Sequence, residues 1–188
     1  MPDSASSAKP GKKMGRRNGR LIFWAVAAAV VALDFYTKQL AVASLSRVPV
    51  RVVGEWLTFR LVYNPGAAFG INVGEHSRWV FMCLALIALV VLGFMVYQTS
   101  PSQRVKLLTL GLVCGGAVGN LIDRVRSARG VVDFIDVWIG RFHWPTFNVA
   151  DMAVSCGAIA LAALLWSEGR LEQEEVVEEA ASSAEATP

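Results

Sequence analysis

Four long apolar runs constrain the fold of this chain more than any other feature of its sequence. They cover about residues 21–45, 79–97, 107–122 and 149–166 of 188, and 54% of all residues are hydrophobic. Because an α-helix rises about 1.5 Å per residue, about 20 residues cross the roughly 30 Å hydrocarbon core of a bilayer. The sequence therefore predicts an all-α membrane protein with four transmembrane helices. The third run is short, so we expect its ends to lie in the membrane interface.

The charged residues concentrate at the two ends of the chain. Residues 1–20 hold six Lys or Arg, and residues 168–185 hold seven Glu. A basic segment before the first span is typical of a cytoplasmic N-terminus, which explains this charge without nucleic-acid binding. Four spans then return the C-terminus to the same side. We predict a basic cytoplasmic tail over 1–20, a four-helix membrane domain over 21–166, and an acidic, disordered cytoplasmic tail over 167–188.

The first span also has features of a secretory signal. A basic stretch and 13 apolar residues precede the small residues Ala41-Val42-Ala43, a pattern typical of a cleavage site. Asp34 and Lys38, however, interrupt the chain before that site. We therefore expect the first span to be retained.

Two segments between the spans lie on the outer side in this topology. The first, about 46–78, is rich in β-formers and predicts two short strands around Gly54-Glu55, followed by a turn at Asn64-Pro65-Gly66. The second, about 124–148, becomes apolar at Val131 and fits either a helix lying on the membrane or a short strand. We expect a small β-rich subdomain outside the membrane after the first helix.

Polar residues interrupt the spans at one membrane face. Asp34 lies 14 residues beyond Arg20, or about 21 Å along a helix, and Lys38 follows one turn later at ion-pair distance. The other members of this group are Asn120, Asp123, Arg124, Asp133, Asn148 and Asp151. Charges inside a membrane usually mark a functional site, although a network that only fastens the four helices would use the same residues.

Asp133 and Asp151 suggest a pair of catalytic carboxylates in a membrane hydrolase. The sequence puts Asp133 in a loop and Asp151 at a helix start, where the helix dipole favours the ionised form. Two close carboxylates do not both ionise easily, so one acts as a base that activates water. The other acts as an acid that protonates the carbonyl oxygen and later the leaving amine. Asp136 stays an alternative to Asp133, and Asp123 is interpreted as a structural carboxylate paired with Lys38 or Arg124.

Other kinds of site have little support in this sequence. His76 and His143 stand alone in loops without metal-ligand spacing, so we expect no metal and no cofactor. Cys83, Cys114 and Cys156 fall inside apolar runs and are interpreted as core residues without disulfides. The glycines of segment 115–119 allow close helix packing, which explains them as well as a substrate groove would.

Five short motifs, in order along the chain, resemble those of the lipoprotein signal peptidase family, also called signal peptidase II. They are DFYTK at 34–38, NPGAAF at 64–69, GAVGNLIDR at 116–124, VVDF at 131–134 and FNVAD at 147–151. The resemblance covers about residues 20–166. It implies a bacterial inner-membrane aspartyl endopeptidase that cuts the signal peptide from a prolipoprotein, on the N-terminal side of its diacylglyceryl-modified Cys.

The resemblance also assigns roles to individual residues. Asp133 and Asp151 correspond to the catalytic dyad. Residues that position the substrate or the dyad are Asn64, Asn120, Arg124 and Asn148, and supporting residues are Asp34, Lys38, Gly116 and Asp123. The β-rich subdomain would cover the site at the periplasmic face, with both termini in the cytoplasm. The expected partners are a lipid-modified prolipoprotein and membrane lipids, with the protein itself a monomer.

Two other classes of protein would also carry buried charges. An ion- or proton-coupled transporter usually places its charged site near the membrane midplane and often shows internal repeats. Here the charges lie at one face, and the sequence shows no repeat. A purely structural membrane subunit is the third possibility. Cleavage of a lipidated substrate separates all three.

Overall fold

The computed structural model describes residues 11–66 and 74–185. The helices are α1 (Gly11–Ser44), α2 (Ser77–Gln98), α3 (Arg104–Arg126) and α4 (Val149–Glu185), and the strands are β1 (Val50–Val53), β2 (Leu57–Asn64), β3 (Val131–Ile139) and β4 (Phe142–Phe147). A short 3-10 turn, Gly74–His76, precedes α2. Within these residues, each of the four helices contains a stretch long and apolar enough to cross a membrane. The prediction of four apolar helices is confirmed.

Helices α1, α3 and α4 are longer than the sequence indicated, and α1 already begins at Gly11, within the predicted basic tail. The third spans 23 residues because the helix continues through the charged residues at both ends of the apolar run. The fourth continues to Glu185, so the prediction of a disordered acidic tail is wrong for the described part of that segment. Glu, Gln, Leu and Ala are good helix formers, and Arg170 pairs with Glu174 one turn later at 3.1 Å.

The four strands form one antiparallel sheet in the order β1-β2-β3-β4. The two strands predicted between the first and second spans are therefore confirmed, but the sheet also includes the segment after α3. Residues 131–139 form a strand rather than an interfacial helix, and Asp133 lies on this strand rather than in a loop. Its β-branched and aromatic residues favour a strand, and β2 and β4 pair with it on either side.

The third helix is the centre of the bundle, because it packs against the other three helices. Close packing between α3 and α4 requires glycine at Gly116, since an added Cβ would overlap the Ala150 carbonyl and meet Val154 at 2.7 Å. A cluster of buried apolar residues lies nearer the end of the bundle where α3 begins. Its members are Phe23, Leu92, Leu107, Leu110, Cys114 and Leu161.

The cysteines only partly match the prediction. All three are free thiols, and Cys114 is buried, whereas Cys83 and Cys156 are exposed on helix surfaces. The interpretation of Cys83 and Cys156 as core residues is therefore wrong. An apolar run around a membrane helix has a face toward the lipid as well as a face toward the protein.

Candidate active site

Asp133 is almost completely buried on β3, with 2% of its surface exposed. The Asn148 side-chain amide donates a hydrogen bond of 2.7 Å to Asp133 Oδ1, and the Asn64 amide donates one of 3.1 Å to Oδ2. Burial, followed by the negative charge of Asp151, raises the pKa of Asp133 to about 7, against the opposing effect of these hydrogen bonds and of Lys38. Asp133 can therefore hold a proton near neutral pH.

Asp151 lies in the first turn of α4, as the sequence predicted. Its backbone N–H donates to Asn148 Oδ1 at 3.0 Å, and the Asn148 N–H donates to Asp151 Oδ2 at 3.2 Å. This reciprocal pair is a capping box, which satisfies two donors that a helix start would otherwise leave unpaired. Asp151 Oδ1 accepts a further hydrogen bond of 2.7 Å from the Asn120 amide.

Asn148 therefore contacts both carboxylates of the predicted dyad. It is fully buried, and its amide nitrogen also lies 3.1 Å from Asn120 Oδ1 and 3.3 Å from the Val132 carbonyl oxygen. One side chain thus joins β3, the start of α4 and the outer part of α3. The relative position of Asp133 and Asp151 is set through this residue.

A buried lysine supports this arrangement from α1. Lys38 Nζ lies 2.7 Å from Asp34 Oδ2, 2.9 Å from Asp123 Oδ2 and 2.8 Å from Asn120 Oδ1. These three acceptors use all three N–H groups of the ammonium. Asp34 and Lys38 are each only 1% exposed, so each charge depends on its partners for stabilisation.

The partners of Lys38 connect it to the two elements that carry the dyad. Asp34 Oδ1 accepts a hydrogen bond of 2.9 Å from the Ala150 N–H at the start of α4. Asp123 Oδ2 accepts one of 3.2 Å from the Val132 N–H, next to Asp133 on β3. The ion-pair group therefore fixes both elements against α1 and α3.

Arg124 brings a positive charge to the dyad. It interacts electrostatically with Asp151, Asp133 and Asp123, and its Nη1 donates to the Asn120 carbonyl at 3.2 Å. Its guanidinium carbon lies 5.7 Å from the centre of the Phe81 ring. Among the described residues, the buried Nε has no hydrogen-bond partner.

Asn64 reaches Asp133 because the end of β2 closely approaches the start of β3. Gly130 adopts φ 99°, and an added Cβ there would overlap the Asn64 carbonyl. Asn64 Oδ1 accepts a hydrogen bond of 3.0 Å from the Gly66 N–H. The rest of the NPGAAF motif, residues 67–69, lies outside the described residues.

Asp136, the alternative to Asp133, belongs to a different cluster on the sheet. It accepts hydrogen bonds from Trp138 Nε1 at 3.1 Å and Thr146 Oγ1 at 3.0 Å, and it pairs with His143 at 2.7 Å and Arg60 at 3.1 Å. Burial alone would raise the pKa of Asp136, but these hydrogen bonds and the Arg60 charge lower it. Asp136 is thus held as a stable anion, a state that suits a structural carboxylate.

Sequence reasoning missed this second cluster because it left the segment open between an interfacial helix and a short strand. On a strand, residues three apart point to opposite faces, which would have separated Asp136 from Asp133. Across residues 11–66 and 74–185, no group of three His, Cys, Asp or Glu side chains could hold a metal ion. Independence from metals and cofactors stays a prediction.

The dyad does not line the apolar cavity of the bundle. That cavity, of about 800 Å³, lies between α1, α2 and α3 and is bordered by Ala28, Val31, Leu89, Gly93 and Val118 among others. Neither Asp133 nor Asp151 lines this cavity. The predicted site residues therefore lie together where α1, α3, α4 and β3 meet, away from this cavity.

Comparison with known proteins agrees with a membrane enzyme of this architecture. A solved structure titled "Bacterial membrane enzyme structure by the in meso method at 2.3 A resolution" superposes with a TM-score of 0.69 at 30% identity. The alignment covers 78% of this chain and 88% of that one. A second, titled in the same way at 1.9 A resolution, gives a TM-score of 0.66 at 30% identity over 76% and 91% of the two chains.

Sequence relatives give the family. Residues 26–167 match the model of a protein family described as "Signal peptidase (SPase) II". A lipoprotein signal peptidase of Cupriavidus taiwanensis is 37% identical over 163 residues, which cover 84% of this chain and 92% of the relative. A lipoprotein signal peptidase of Francisella tularensis subsp. mediasiatica is 35% identical over 147 residues, which cover 77% of this chain and 91% of the relative.

The chain therefore belongs to the signal peptidase II family, as its five motifs predicted. Membership makes it a peptidase. Together with the four membrane-capable helices, it indicates a multi-pass protein of the bacterial inner membrane.

Proposed function

We propose that this protein is an aspartyl endopeptidase that removes the signal peptide from diacylglyceryl-modified prolipoproteins. It cuts the peptide bond on the N-terminal side of the lipidated Cys. The observation that carries this proposal is the contact of one buried amide, that of Asn148, with both Asp133 and Asp151. Two paired carboxylates of unequal proton affinity can perform peptide hydrolysis without a metal, because one supplies the base and the other the acid.

The environments of the two carboxyl groups suggest their roles. Asp133 is the acid, because burial and the Asp151 charge raise its pKa to about 7. Asp151 is the base, because it lies at a helix start and accepts hydrogen bonds from the Asn148 N–H and the Asn120 amide. The acid and the base are thus present together at neutral pH.

The reaction follows from these two protonation states. Asp151 removes a proton from water as the water oxygen attacks the scissile carbonyl carbon, and Asp133 gives its proton to the carbonyl oxygen. In the second step, Asp151 rather than Asp133 gives a proton to the Cys nitrogen as the C–N bond breaks, which differs from the sequence-based expectation because Asp133 has already given up its own proton. Asp133 recovers its proton from the hydroxyl that becomes the new carbonyl, so the dyad is regenerated. Arg124 and Asn64 hold the dyad and the substrate backbone in place.

The position of the site fits a substrate held in a bilayer. Asp34 lies 15 residues after the start of the apolar stretch at Gly19, or about 22 Å along the helix, and the sheet adjoins the same end. We assign this end to the periplasmic face, with both termini in the cytoplasm. Acyl chains would keep the modified Cys at the interface, since each buried CH₂ contributes about 0.8 kcal/mol.

The rest of the chain is assigned to supporting roles. Residues 21–166 form the peptidase domain, and the segments 1–20 and 167–188 are cytoplasmic extensions without a role in the chemistry. The protein acts as a monomer in contact with membrane lipids. Each carboxylate of the dyad comes from this one chain, so a second copy is not needed to complete the site.

The test is cleavage of a synthetic diacylglyceryl lipopeptide by purified protein, with product masses that locate the cut. Asp133→Asn and Asp151→Asn should each abolish cleavage while the protein stays folded, because an amide cannot exchange the required protons. Asp136→Asn is the matched control, since Asp136 is a buried carboxylate of the same strand outside the dyad. It should retain cleavage per folded molecule. Full cleavage by either dyad variant would reject the assignment.

A further inference from the structure

The second helix reaches the active site through the end of α3. Arg78, in the first turn of α2, donates from Nε to the Arg124 carbonyl at 2.7 Å and from Nη2 to the Val125 carbonyl at 3.2 Å. Both carbonyls belong to the last turn of α3, where a helix lacks donors of its own. The Arg78 charge also favours this position, because the C-terminal end of a helix dipole is negative.

A second contact from α2 holds the other end of Arg124. The Phe81 ring, one turn after Arg78, lies 5.7 Å from the Arg124 guanidinium carbon, within the range of a cation–π interaction. Arg124 is therefore held at its backbone by Arg78 and at its side chain by Phe81. Its guanidinium in turn interacts electrostatically with Asp151 and Asp133, and its Nη1 donates to the carbonyl of Asn120, whose side-chain amide donates to Asp151.

We propose that Arg78 is a positioning residue of the peptidase, which acts by fixing Arg124 beside the dyad. This inference rests on the proposed function, because that function gives Arg124 its role next to Asp133 and Asp151. It extends the site to α2, which contributes none of the residues that the family motifs assigned. Arg78 touches neither carboxylate and performs no proton transfer.

A simple helix cap would use the same two hydrogen bonds. A cap stabilises α3 and affects turnover only through the fraction of folded protein, whatever residue stands at position 124. A positioning residue affects turnover per folded molecule, and only while Arg124 is present. The two roles are therefore separated by a double-mutant cycle.

The cycle compares wild type, Arg78→Gln, Arg124→Gln and the double variant in the lipopeptide assay, with turnover expressed per folded molecule. Arg78→Gln should reduce turnover about tenfold, and less than about twofold when Arg124 is already replaced. Arg78→Lys should recover part of the loss, because an ammonium still donates to the carbonyls. Arg126→Gln is the control, since Arg126 ends the same helix but contacts the Phe35 ring.

Each outcome decides between the two roles. Equal losses in both backgrounds, or full turnover by Arg78→Gln, would overturn the positioning role. If Arg124→Gln has no measurable turnover, the cycle is run with Arg124→Lys. Wild-type turnover with Arg124→Gln, while Asp133→Asn is inactive, would reject this inference and leave the proposed function standing. Absence of cleavage by the wild type would instead reject the proposed function.

Discussion

Asn148 donates a hydrogen bond of 2.7 Å to Asp133, and this contact joins the start of α4 to β3. Asn148 is at the same time the N-cap of α4 through its bond with the Asp151 N–H. Secondary structure and active site therefore share one side chain. A helix cap contributes about 1 kcal/mol on its own, and here it also sets the geometry of two carboxylates.

Asn148→Ala should therefore reduce both stability and cleavage. The change removes the cap and leaves the buried Asp133 Oδ1 without its closest donor, a loss of about 1–3 kcal/mol. We expect a lower melting temperature and at least a tenfold loss of turnover per folded molecule, from thermal melts and the lipopeptide assay. Wild-type turnover by a folded Asn148→Ala protein would contradict the role of this amide in holding the dyad.

The raised pKa of Asp133 predicts how activity depends on pH. In the proposed mechanism Asp133 acts in its acid form, so kcat/KM should fall as pH rises through about 7. An initial-rate series from pH 5 to pH 9 would locate this limb. An unchanged rate across this range would show that Asp133 does not act as the acid.

The same shift predicts a change of stability with pH. Because the pKa of Asp133 is higher in the folded protein, about 7, than its ordinary value of 3.8, the folded state binds the proton more tightly. The free energy of unfolding should thus decrease as pH rises between these values. Thermal melts of wild type and Asp133→Asn across this range should show that the variant lacks this contribution. Parallel curves for the two proteins would contradict it.

Much of the architecture could be predicted from local patterns. Span length follows from bilayer thickness, so the four helices were found, and Asp151 was placed at a helix start by its position before an apolar run. Asp34 and Lys38 were paired because residues four apart share a helix face. The measured Lys38–Asp34 distance of 2.7 Å confirms that placement.

The features that sequence reasoning missed depend on contacts between distant segments. The sequence left the segment around Asp133 open between a helix and a strand, and the strand is confirmed because β2 and β4 pair with it from either side, a contact that is not a local signal. The contact of Arg78 with the end of α3 joins residues 46 positions apart. The dual role of Asn148 likewise needs β3 and α4 to meet before it can be recognised.

The cluster around Asp136 should stabilise the sheet at neutral pH and fail in acid. Hydrogen bonds from His143, Trp138 and Thr146 hold the pKa of Asp136 below its ordinary value of 3.8 despite burial. The contribution of ionised Asp136 to the free energy of unfolding is fully present above about pH 4. It is lost as pH falls through the pKa that Asp136 has in the folded protein, which lies below 3.8. Melts of wild type and Asp136→Asn from pH 6 to pH 3 should therefore converge at the acidic end. A constant difference across this range would show that Asp136 is not stabilised as an anion.

Asp123 is the carboxylate most easily mistaken for a member of the dyad. It lies at the C-terminal end of α3, where the dipole disfavours an anion. Its Oδ2 is 2.9 Å from Lys38 Nζ and accepts a hydrogen bond from the Val132 N–H. These contacts form an ion pair that holds β3 against α1, which supports a structural role for Asp123 in the proposed site.

Asp123→Asn should accordingly lower the melting temperature and reduce turnover only in part. The amide oxygen can still accept from Lys38 and from the Val132 N–H, and Asp34 still balances the lysine charge at 2.7 Å. Loss of one partner of a partly buried ion pair costs on the order of a few kcal/mol. The melting temperature and the turnover of Asp123→Asn are compared with those of Asp133→Asn, which should be inactive. If Asp123→Asn were as inactive as that variant yet as stable to heat as the wild type, the dyad would have to be redrawn as Asp123 with Asp151.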